Sequence, residues 1–120
     1  MKIGLDYHGV LDKHPDFFSN LTTSIAENAE IHIVTGAKKV DFMKDSKMTG
    51  IFYSHFYSIT DEFLKHKIPY NIDEKGNPSF DKTLWDSAKA MYCASHKIDI
   101  MIDDSKIYGK FFTTPYTLFK

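Results

Sequence analysis

A chain of 120 residues and 13.9 kDa holds one compact domain and excludes two of ordinary size. Its 42% hydrophobic and 15% aromatic content excludes a disordered tail, and 15 cations against 16 anions exclude a protein whose main work is coating nucleic acid. Every cation is a lysine, so no bidentate guanidinium clamp on phosphate or carboxylate is available, and lysine serves only as a point charge.

The single Cys93 cannot form an internal disulfide, which fits a reducing compartment. No apolar run approaches the roughly 18–20 residues that cross a bilayer, and the stretch from Met1 reaches a carboxylate at Asp6, too early for a signal peptide. The expectation is a cytoplasmic domain with no membrane partner.

In chain order, the apolar run 3–5 reads as a buried strand that stops at Asp6 and Gly9. Residues 15–29 read as a helix with Phe18, Leu21, Thr22 and Ile25 on one face. A second strand over 31–34 closes at Thr35-Gly36. A short helix is expected over 40–48, an aromatic and β-branched strand over 51–59 and a helix over 60–66. The turn-forming segment 73–78 precedes a helix that runs to residue 94, with Leu84, Ala88, Met91 and Tyr92 as its apolar stripe. Residues 98–102 form a strand entering Asp103-Asp104, and 116–119 a last strand. Short β-rich runs alternating with helices predict an α/β fold, a three-layer Rossmann-like parallel sheet with helices on both faces, as a single domain over 1–120.

In such sheets ligands sit beyond the carboxyl ends of the strands. Three predicted strands end there in Asp6, in Thr35 and in the Asp103–Asp104 pair. As neighbours on one rim, the three carboxylates need a cation, and Mg2+ is the natural partner of an all-oxygen set. A carboxylate beside such an ion can attack phosphorus and form an aspartyl-phosphate that water later hydrolyses. Thr35 and Gly36 offer a hydroxyl and a backbone N–H to phosphoryl oxygens, and a lysine would complete the neutralisation of charge.

These segments resemble the motifs of the haloacid dehalogenase-like hydrolase superfamily. The first motif, an apolar strand followed by Asp-x-Asp-Gly, stands here as Ile3-Gly4-Leu5-Asp6-Tyr7-His8-Gly9. The second matches Ile31-His32-Ile33-Val34-Thr35-Gly36, and the fourth matches Ile98 to Ile102 followed by Asp103-Asp104-Ser105. The resemblance implies Asp6 as nucleophile and metal ligand, and Thr35 as phosphoryl-binding residue. It implies Asp104 as direct metal ligand, Asp103 as ligand or support, and the backbone carbonyl of His8 as a further ligand. The third motif is a lone lysine. Lys89 lies 14 residues before Asp103 and Lys82 lies 21 before it, both within the family's range, and Lys89 is taken because a short run leads from it into the strand.

One position departs from the family's phosphatases, which carry a second Asp two residues after the nucleophile. Here it is His8, whose imidazole can do acid–base chemistry near neutrality or be an inert replacement. The interval from Asp6 to Thr35 leaves no room for the family's helical cap, and residues 69–80 allow at most a small flap. Capless members are open and take bulky substrates, so the resemblance implies a phosphate monoester: a nucleotide, a nucleic-acid end or a phosphoprotein. The rival expectation is an inactive relative that keeps the metal and phosphate site for binding. The remaining histidines (His14, His32, His55, His66, His96) show no metal-type spacing and are expected to be structural or surface residues, Cys93 a buried small residue, and 52–57 part of the sheet core.

Overall fold

The computed structural model describes residues 1–119. Its elements are β1 (Lys2–Leu5), α1 (Pro15–Ile25), β2 (Glu30–Thr35), α2 (Lys39–Lys44), β3 (His55–Ser58), α3 (Ile59–Lys65), β4 (Asn71–Ile72), β5 (Pro78–Ser79), α4 (Lys82–Ser95), β6 (Ile100–Asp103), α5 (Lys106–Gly109) and β7 (Tyr116–Leu118). Strands β3-β2-β1-β6-β7 form a five-stranded, fully parallel sheet in that order. The chain first adds strands to one side of β1 and then returns to its other side with β6. That reversal opens a crevice at the carboxyl ends of β1 and β6, where open α/β sheets take their ligands.

Period-2 alternation sends the two faces of the sheet into two cores. Leu5, Ile31 and Ile33 meet Phe18 of α1 and Phe42 of α2, together with Val10 and Leu11. Val34 and Met101 meet Cys93 of α4 and Ile98 on the opposite face. The result is the expected three-layer α/β arrangement. Among the described residues no helix is long and apolar enough to cross a membrane.

Several boundaries differ from expectation for local reasons. α1 ends at Ile25. The helix expected over 40–48 breaks at Asp45, whose backbone is extended and whose carboxylate accepts the Lys47 N–H, capping a separate 3-10 turn at Ser46–Met48. Of the strand expected over 51–59, only His55–Ser58 pairs with β2, because Ser54 ties the preceding segment to Ile31 by its hydroxyl and its N–H. The strand expected from residue 98 starts at Ile100, since Asp99 accepts the Lys2 N–H at its side chain instead of alternating inward. The stripe expected on α4 holds for Ala88, which is buried, and Tyr92, which packs half-buried against the core, but not for Leu84 and Met91, which are exposed; the helix also buries Asp86, Lys89, Ala90 and Cys93. A lysine and an aspartate therefore sit on the inward face, which a count of apolar residues cannot reveal. The segment 69–80 carries a two-residue antiparallel hairpin, β4–β5, turned by Asp73, whose carboxylate accepts the Lys75 and Asn77 N–H groups.

Candidate active site

Asp6 follows β1 directly and stays hydrogen-bonded beside β6, giving its N–H to the Ile102 carbonyl at 3.0 Å. Alternation puts Asp6 on the Gly4 face of β1 and Asp103 on the Met101 face of β6, both toward α4. From α4, Lys89 Nζ reaches Asp6 Oδ1 at 2.9 Å and Asp103 Oδ2 at 2.8 Å. Lys89 is only 3% exposed, and its ammonium also lies 4.7 Å from the centre of the Tyr108 ring. Lys82, by contrast, is 78% exposed and pairs with Asp86, away from these carboxylates.

Beyond Asp6 the chain turns sharply. His8 (φ −73°, ψ 125°) and Gly9 (φ 90°, ψ −9°) are the central residues of a type II turn, which requires positive φ at its third position. The same turn presses Gly9 against Asp104, so that any Cβ at position 9 overlaps that carboxylate. Gly9→Ala is therefore expected to destabilise the fold by about 1–3 kcal/mol and to displace Asp104. Chemical denaturation checks this, and an unchanged midpoint would contradict it.

His8 projects into solvent at the rim, stacked on Tyr7 with ring centres 4.1 Å apart. Its Nδ1 lies 2.9 Å from Asp12 Oδ2, and Asp12 Oδ1 accepts the Gly9 N–H at 2.7 Å. A carboxylate accepts, so the contact is read with the proton on Nδ1, which leaves Nε2 to other partners. Thr35 ends β2, fully buried, with Oγ1 accepting the Ala37 N–H at 3.1 Å. The neighbouring Gly36 carbonyl accepts the Thr60 hydroxyl at 2.6 Å, and Trp85 closes on Gly36 so tightly that a Cβ there would meet the indole at 2.6 Å. Asp6, His8, Thr35, Gly36, Lys89 and Asp104 thus border one open cleft of ≈ 700 Å3, with Trp85 and Tyr108 as an aromatic wall joined by an indole-to-hydroxyl hydrogen bond of 3.0 Å. Asp103 stands behind it, fully buried, with Oδ1 accepting the Ser105 N–H at 2.9 Å.

Sequence reasoning did not single out Asp12, Trp85 or Tyr108. Asp12 was discoverable, as a carboxylate four residues after His8. The aromatic wall was not, because it depends on how α4 and α5 meet.

Burial pushes the Asp6 carboxyl up to about 7 against the pull of Lys89, with Asp103 adding to the rise. Lys89 is held above its ordinary value: burial works against its charge, but Asp6 and Asp103 outweigh it. One ammonium thus bridges two carboxylates, Asp6 and Asp103, while Asp104 has no contact with it. Asp6, Asp103 and Asp104 each bring an oxygen within 4.8 Å of the others. With Lys89 counted, the ionised cluster keeps two uncompensated negative charges, and its donors are all hard oxygens. The residues fit a divalent cation of the Mg2+ class. A scan against protein-family models and searches of curated proteins and of solved structures returned no match to this chain.

Proposed function

We propose that the protein is a Mg2+-dependent phosphohydrolase of the haloacid dehalogenase-like type, cleaving a phosphate monoester through an aspartyl-phosphate on Asp6. The observation that carries the reading is the Lys89-bridged Asp6–Asp103 pair beside Asp104 at the strand-order reversal, with Thr35 and His8 on the same cleft. Asp6, Asp104 and the backbone carbonyl of His8 would hold the ion, with Asp103 as ligand or support. When bound, Mg2+ supplies charge neutralisation at the phosphoryl oxygens.

Lys89 and the Tyr7 N–H both converge on Asp6 Oδ1, which leaves Oδ2 as the attacking oxygen. Oδ2 bonds to phosphorus while the bond from phosphorus to the ester oxygen breaks, the electron pair going to that oxygen. The His8 imidazolium, held through Nδ1 by Asp12, gives its Nε2 proton to the leaving oxygen. The same nitrogen then takes a proton from water as the water oxygen attacks phosphorus, releasing phosphate and restoring the Asp6 carboxylate. The Thr35 hydroxyl, the Gly36 N–H and the Lys89 ammonium receive the negative phosphoryl oxygens. Among the described residues, the segment 69–80 brings only the short β4–β5 hairpin, with Asn77 and Pro78 at the cleft, and a cleft left this open suits a bulky substrate: a nucleotide, a nucleic-acid end or a phosphoprotein.

The test is Mg2+-dependent hydrolysis of two esters by wild type and His8→Ala. p-Nitrophenolate leaves without an acid, so its release in the first turnover, before water attacks the aspartyl-phosphate, is expected to fall by no more than a few-fold in the variant. Release of an alkyl alcohol from glycerol 2-phosphate is expected to fall by about 10^2–10^4-fold. Equal losses on both esters in that first turnover would remove the acid role from His8. Mg2+ binding without turnover of either ester by the wild type would replace the enzyme with a binding module.

A further inference from the structure

A second group of potential ligands lies at the opposite end of the sheet. Glu30 and His32 are two residues apart on β2 and therefore share a face. The register of the parallel pair sets His32 directly beside His55 of β3. His32 Nε2 lies 3.1 Å from Glu30 Oε1, and His55 Nδ1 lies 3.8 Å from the same oxygen. The two imidazoles stack with centres 4.2 Å apart and planes 5° from parallel. One oxygen and two nitrogens from neighbouring strands lie within 4.8 Å of one another, and no linear spacing in the sequence could reveal it, because the partner of His32 comes from across the sheet.

We propose that Glu30, His32 and His55 form a Zn2+ site at the amino end of the sheet, separate from the carboxylate cleft and independent of the function proposed for it. Two imidazole nitrogens and one carboxylate oxygen are a borderline donor set that suits Zn2+ and not Mg2+. The site has an oriented second layer. The His32 side chain is only 2% exposed, and its Nδ1 lies 2.7 Å from the Tyr92 hydroxyl of α4, which fixes the ring and leaves Nε2 to ligate. Glu30 and His55 are about half exposed, so the ion has an entry path and the fourth coordination position is open to water. Stacked rings aim their lone pairs in parallel, so the exposed His55 ring must turn about its side-chain bonds to complete the set. Among the described residues, the only other polar contact on that nitrogen is the Ser54 hydroxyl at 2.9 Å.

The experiment titrates the full chain with Zn2+ against a chromophoric chelator in excess Mg2+, and with Co2+ as a spectroscopic substitute. The expected result is one equivalent of bound Zn2+ and a Co2+ visible spectrum of low-coordinate type. Both disappear in His55→Ala, which removes a half-exposed side chain and should fold. Affinity is expected to fall by about 10-fold in Tyr92→Phe and to be unchanged in Asp104→Asn. His55→Ala should keep the Mg2+-dependent hydrolysis of p-nitrophenyl phosphate, if the wild type has it. No saturable Zn2+ binding, binding that survives His55→Ala, or binding lost in Asp104→Asn would each overturn the proposal, the last by moving the ion to the carboxylate cleft.

Discussion

Asp6→Asn is expected to lower Mg2+-dependent hydrolysis of p-nitrophenyl phosphate by roughly 10^4-fold or more, without unfolding the protein. The amide oxygen of asparagine can still accept the Tyr7 N–H and the Lys89 ammonium that Asp6 Oδ1 accepts. It is too weak a nucleophile to attack phosphorus and carries no charge for a cation. The stability change should run the other way at high pH. Asp6 is raised by burial to about 7, above the ordinary 3.8, so the unfolded chain releases its proton first. Its contribution to stability is therefore full below about pH 4 and is lost as pH rises through about 7. The asparagine variant lacks that loss, so its stability should decline less between pH 4 and 8 than that of the wild type. Denaturant unfolding at several pH values, run beside the phosphatase assay, separates the two effects. Retained turnover in Asp6→Asn would refute the aspartyl-phosphate chemistry. A variant that lost activity only by unfolding would not support it.

The contrast between what the sequence discloses and what it hides follows from the range of the interactions involved. Asp6, Thr35 and Asp103 were legible because each ends an apolar run, and a parallel sheet collects the ends of its strands on one rim. The layered fold was legible for the same reason. The inward face of α4 was not. Hydrophobic periodicity pointed to Leu84 and Met91 along with Ala88 and Tyr92, yet beside the latter two the inward face carries Lys89, because buried carboxylates on β1 and β6 make a buried ammonium the favourable neighbour. Spacing alone left Lys82 and Lys89 as alternatives, and both lie on α4; only the three-dimensional arrangement shows which of them reaches Asp6. The break at Asp45 was hidden by a different competition. Its side chain caps a new turn in preference to continuing a helix, a local choice worth about 1 kcal/mol that an apolar pattern does not register. The pairing of His32 with His55 depends on strand register, to which no residue spacing corresponds.

Lys89→Met is expected to be the most destabilising single change at the site, by about 3–5 kcal/mol near pH 8. Methionine keeps most of the length and apolar volume of the lysine stem, so the loss comes from the charge and not from a cavity. Without the ammonium, Asp6 and Asp103 face each other as carboxylates that are 5% and 0% exposed. Each is then costly to ionise, and the Asp6 carboxyl is pushed up further than in the wild type. The sign follows from linkage: groups raised in the folded state hold their protons below that range and lose stability as pH rises through it. The deficit of Lys89→Met relative to wild type should therefore be small at pH 5 and full at pH 8. The Lys89 charge does not distort this comparison, because its own raised pKa keeps it protonated across the whole interval. Millimolar Mg2+ should recover part of the loss at pH 8, since a dication at Asp6, Asp103 and Asp104 replaces the missing positive charge. Lys82→Met, at an exposed lysine on the same helix, should change neither stability nor its pH dependence measurably. Urea unfolding of the two variants and the wild type at pH 5 and 8, with and without Mg2+, checks all four statements. A deficit in Lys89→Met that is equal at both pH values and insensitive to Mg2+ would mean that the lysine is held for packing, and that the carboxylates do not need its charge.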